Sequence, residues 1–88
     1  MDIHNYFNLI KAKNNISSDR QLSKCLGISS ASVFAFANKR AIPSDETMIK
    51  IADLAGLDKK QALIDVNVWR NTNEEIIKIY NSFKNQND

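Results

Sequence analysis

Only three of the 88 residues are glycine or proline, and each stands where a helix would stop or start. Gly27 follows a segment carrying Leu22 and Leu26 and precedes Ile28, while Gly56 follows Met48, Ile51, Ala52 and Ala55 and precedes Leu57. Glycine adopts positive φ without steric cost, and an apolar residue just after it packs back against the helix it closes. Pro43 precedes Ser44, a good helix cap, and Asp45 and Glu46 then occupy the turn where a helix dipole favours acids. So little turn-forming material is at odds with an all-β fold, and the chain reads as all-α.

Periodicity places six helices. Ile3, Tyr6, Phe7 and Ile10 fall at i, i+3, i+4 and i+7, one stripe of a first helix over about residues 2–13 that Asn14 and Asn15 end. Ser18 with Gln21 forms a capping-box pattern opening a second helix, and Ser29 or Ser30 caps a third in which Val33 and Phe36 or Ala37 face inward. The fourth carries Met48, Ile51, Ala52 and Ala55. Asp58 with Gln61 opens a fifth with Ala62, Val66 and Trp69, and Thr72 with Glu75 opens a sixth with Ile76, Tyr80 and Phe83. Residues 85–88 are polar and expected to fray. Gaps are short and no internal repeat occurs, so one small core is expected: residues 1–70 as a domain, with residues 71–88 as an added helix and tail.

The net charge of +2 is unevenly distributed. Residues 1–40 hold six Lys or Arg against two acids, whereas residues 41–88 hold six against eight, which suggests that the first half faces a polyanion. His4 is the only histidine and Cys25 the only thiol, so the chain lacks the residues for a Ser-His-Asp arrangement or a His/Cys metal cluster. An enzyme, a metal and a cofactor are therefore not expected. A single cysteine allows no internal disulfide, and no segment nears the roughly 18 apolar residues of a membrane span. The expected location is the cytoplasm.

Residues 18–40 carry the most specific signal. Leu22, Leu26, Gly27, Ile28, Val33 and Phe36 have the spacing of a helix-turn-helix, two short helices packed across a glycine turn with the second projecting its far face. Such a helix fits the major groove of B-DNA, about 12 Å wide. Residues 21–29, then Val33, Asn38, Lys39, Arg40, Pro43 and Ser44, resemble the phage repressor and Cro-type (lambda repressor-like) helix-turn-helix family. Residues 46–57 are similar to that family's fourth helix and its glycine stop.

The resemblance implies a compact five-helix domain over about residues 2–70, binding operator DNA in sequence-specific fashion as a homodimer that regulates transcription. It makes residues 29–38 the recognition helix in the bacterial host cytoplasm or nucleoid. Ser30, Ala31, Phe34, Ala35 and Asn38 are the implied base-contact positions, and Arg20, Lys24, Ser32, Lys39 and Arg40 the phosphate-contact positions. Lys11 and Lys13 are secondary. A large apolar side chain at Phe34 suits thymine methyls or sugars. Two departures stand out: many members have glutamine at the positions of Asp19 and Ser30, and a glycine where Lys39 follows Asn38. Asn38 is expected to take the left-handed conformation that the glycine would supply.

The last helix offers more apolar surface than one stripe requires. Trp69, Ile76, Ile77, Tyr80 and Phe83 are the candidate dimer contacts. The rival reading is a protein-binding module of phage origin that uses the same fold to bind or inhibit a host protein. No small-molecule ligand is expected in either case.

Overall fold

Six helices follow one another in the computed structural model, which describes residues 1–71 and 73–86, with side chains as far as Ser82. They are α1 (Ile3–Asn14), α2 (Asp19–Leu26), α3 (Ser30–Ala37), α4 (Asp45–Ala55), α5 (Lys59–Arg70) and α6 (Glu74–Gln86), and no strand occurs among the described residues. The all-α expectation holds. None of these helices is long and apolar enough to cross a membrane.

Short polar side chains start the helices. Ser18, Ser29, Ser44 and Asp58 each accept a backbone N–H from the first turn of α2, α3, α4 and α5. The Ser18–Gln21 box forms only in half: Gln21 donates its N–H to Ser18, but its side chain reaches past the cap to the N–H of Ser17, at 3.1 Å. A reciprocal box opens α1 instead, between Asp2 and Asn5, and the helix lies one residue along from the expected bounds. The N–H of Asn5 lowers the pKa of Asp2 below the usual carboxylate value. Asn73 Oδ1 accepts the N–H groups of Glu75 and Ile76 at the start of α6. The expected Thr72–Glu75 box lies outside the described residues.

Left-handed residues stop the helices. Asn15, Gly27, Lys39 and Gly56 have φ of 55°, 67°, 59° and 71°. After α3 the expectation needs correction, because Asn38 stays at φ −93° and Lys39 turns left-handed. The Lys39 N–H bonds to the Phe36 carbonyl and the Arg40 N–H to the Ala35 carbonyl, at 3.1 and 2.9 Å. That pair of bonds is a Schellman closure, which requires left-handed backbone one residue beyond the cap. Gly27 and Gly56 close α2 and α4 in the same way.

The core lies where α1, α4 and α5 meet α2 and α3. Tyr6, Ile10, Leu22, Leu26, Val33, Met48, Ile51 and Val66 are fully buried, each side chain worth about 1.5–3 kcal/mol in apolar area removed from water. Tyr6 donates its hydroxyl to the carboxylate of Asp65, a buried acid on α5 that the apolar pattern did not reveal. Trp69 stands edge-on to the Tyr6 ring, centroids 5.9 Å apart, and donates its indole N–H to the Met1 carbonyl. Arg70 bridges Asp45 Oδ1 and the Pro43 carbonyl, both at 2.7 Å, so the end of α5 fixes the loop before α4. Among the described residues α6 packs on α5 and on no other helix.

Candidate nucleic-acid interface

Three residues, 27–29, join two eight-residue helices, α2 and α3. Leu22 and Leu26 bury one side of α2, and Val33 buries one side of α3, with Phe36 and Ala37 packed against the same core. Ile28 fills the space beneath the turn. The ammonium of Lys50, on α4, lies over Gly27, 3.0 Å from where a β-carbon would stand. These contacts fix the orientation of α3 and leave its other side facing solvent.

That outer side is apolar at its centre. Ala31 is exposed, Ala35 half-buried, and Phe34 is 55% exposed although no side chain on the helix is larger. The Arg40 guanidinium sits over the Phe34 ring, 5.6 Å from its centroid, a cation–π arrangement. The sequence pattern singles out both residues but not their contact, which exists because the Schellman closure turns the chain back toward α3.

The polar groups of the same surface are largely engaged within it. Ser23 donates its hydroxyl to the Arg20 carbonyl, at 2.7 Å, and Ser30 Oγ lies 3.3 Å from Ser23 Oγ. Ser32 donates its N–H to Ser29 Oγ, and the two hydroxyls are 2.9 Å apart. Asn38 donates an amide N–H to the Phe34 carbonyl, at 2.9 Å.

Arg40 is the cation that lies against this apolar centre, whereas Lys39 lines the cleft that Asp2, Phe36 and Trp69 also line. Arg20 and Lys24 are exposed on α2, and Lys39 and Arg40 are exposed just past α3. The only acid between residues 16 and 42 is Asp19, and Lys11 pairs with it at 2.8 Å. Asp19 is therefore compensated from within the fold, and Lys11 is occupied in doing so.

The expected dimer residues separate. Ile76 is 37% exposed, while Ile77 and Tyr80 are half-buried; Ile79, another of the apolar residues that the sequence displays on the last helix, is 51% exposed. Trp69 is only partly accessible, since its ring packs against Tyr6 and the core. The side chain of Phe83 lies outside the described residues. A separate cleft of about 260 Å³ opens between Phe36, Ile42, Pro43 and Trp69, with Asp2 and Lys39 among its lining residues.

Compared with protein-family models, with curated proteins and with solved structures, the chain matches none.

Proposed function

We propose that the protein is a small sequence-specific DNA-binding regulator of transcription, of the phage repressor and Cro type, acting as a homodimer in a bacterial cytoplasm. One observation carries this reading: a short helix held across a glycine turn presents a free face with Arg40 against its Phe34, and Arg20, Lys24 and Lys39 are exposed on the neighbouring helix and the loop that follows. A major groove accepts such a helix, and the cations then lie where they can neutralise phosphates. A homodimer that reads two half-sites holds its recognition helices about one DNA turn, roughly 34 Å, apart, and α6 is the helix proposed to pair. The exposed Ile76 and Ile79 support that use of α6.

A second reading keeps one specific observation on its side. An exposed phenylalanine at the centre of α3 also suits an apolar pocket on a host protein, which is the use an inhibitory module would make of the same fold.

Salt dependence separates the two. On a random-sequence duplex, replacing Lys39 and Arg40 together should flatten the slope of log affinity against log salt by about 0.9 for each phosphate that is no longer neutralised. An unchanged slope removes both residues from the interface.

A further inference from the structure

We infer that α3 reads DNA through the C5-methyl groups of thymine, with Phe34 as the reading side chain and Arg40 held against its ring beside the adjoining phosphate. The inference rests on the DNA-binding reading and deepens it by naming the feature recognised. Sequence is ordinarily read in the major groove by bidentate hydrogen bonds from Arg, Lys, Asn or Gln. Residues 30–37 contain none of these side chains. Ser30 and Ser32 have hydroxyl partners in Ser23 and Ser29, and Asn38 spends an amide N–H on the Phe34 carbonyl. The apolar groups that α3 offers outward are the Ala31 methyl, the part-covered Ala35 methyl and the Phe34 ring.

In the major groove the one base substituent that gains from apolar contact is the thymine methyl. The Arg40 guanidinium over the ring selects a polyanion over an apolar protein pocket as the occupant, because burying Arg40 against apolar protein leaves its charge uncompensated. Stacking fixes where the Arg40 guanidinium sits relative to the ring, so one phosphate contact and one methyl contact are set in register.

The test uses the full chain and duplexes recovered from a random pool. Each thymine is replaced in turn by deoxyuridine, which pairs identically and lacks only the methyl. One or two positions in each half-site should weaken binding by about fourfold, the worth of one buried methyl. Phe34→Ala should bind the thymine and uracil duplexes alike, and Phe34→Leu, which keeps apolar bulk without the ring, should retain part of the difference. Melting curves confirm that both variants fold. If uracil at every position leaves the wild-type protein unaffected, or if Phe34→Ala keeps the full difference, methyl readout by Phe34 is wrong although DNA binding stands. If no duplex is enriched at low salt, the DNA reading fails and takes this inference with it.

Discussion

The Tyr6 hydroxyl donates a hydrogen bond to the Asp65 carboxylate, joining α1 to α5 across 59 positions of sequence. Both residues are buried, and Trp69 holds the tyrosine ring from the side. A carboxylate in a core is costly unless partnered, so this bond fixes the register of the two helices as well as contributing to stability.

Alkaline pH should expose that bond. Burial above all, with the Asp65 bond and charge adding to it, raises the Tyr6 pKa well above its ordinary 10.0. A raised folded-state pKa means the stability is fully present below about pH 10 and is lost as pH climbs beyond it. Tyr6→Phe should lower stability by about 1.5–3 kcal/mol at neutral pH, the usual worth of a hydrogen bond to a charged group. It should also lose the part of the alkaline decline that belongs to Tyr6. Denaturant midpoints followed from pH 7 to 11 check this, and parallel curves for the two proteins would count against it.

Lys39 offers a way to separate charge from strain. It occupies the left-handed position at the end of α3, where a side chain costs about 1 kcal/mol that glycine avoids. Lys39→Gly should therefore be more stable than Lys39→Ala by about 0.5–1 kcal/mol, while the two bind DNA equally weakly. Thermal melts and anisotropy titrations measure the two properties. A glycine variant less stable than the alanine one would show that the backbone there is not under strain.

Arg70→Lys should lower stability by about 1 kcal/mol, because a lysine ammonium cannot reproduce the planar fork that reaches both Asp45 and the Pro43 carbonyl. Asp45 is more than half exposed, so the ion pair itself should contribute no more than about 1 kcal/mol. A double-mutant cycle with Asp45→Ala measures it. Coupling well above that value would mean the pair is better shielded from water than its exposure indicates.

Dimerisation is expected to run through the free face of α6. Ile79→Glu places a charge at a position already 51% exposed, so the helical fold should persist while a dimer dissociates. Light scattering on the wild-type and variant proteins at high concentration reads this directly. A wild-type protein that is monomeric there removes α6 as the contact.

The elements were legible because their signals are local. The stripe Ile3, Tyr6, Phe7 and Ile10, the stripe Met48, Ile51, Ala52 and Ala55, and the stops at Gly27 and Gly56 all appear as the periodicity and glycine placement indicate. Interactions between distant segments were not. Asp65 sits on a helix whose pattern explained Ala62 and Val66, and nothing within that window marks an acid as buried beneath Tyr6. Lys39 could not be identified as the left-handed residue because Asn38, beside it, tolerates that conformation better. Phe34 was legible as a large apolar residue on the outward side of its helix, but the Arg40 guanidinium over its ring depends on a loop closure that no spacing rule encodes.

The central claim is that α3 enters the major groove of a specific duplex. Selection of bound fragments from a random DNA pool at low salt addresses it most directly. The account predicts enrichment of an inverted repeat with half-site centres about 34 Å apart. A pool that emerges from repeated low-salt rounds with no enriched sequence would contradict it.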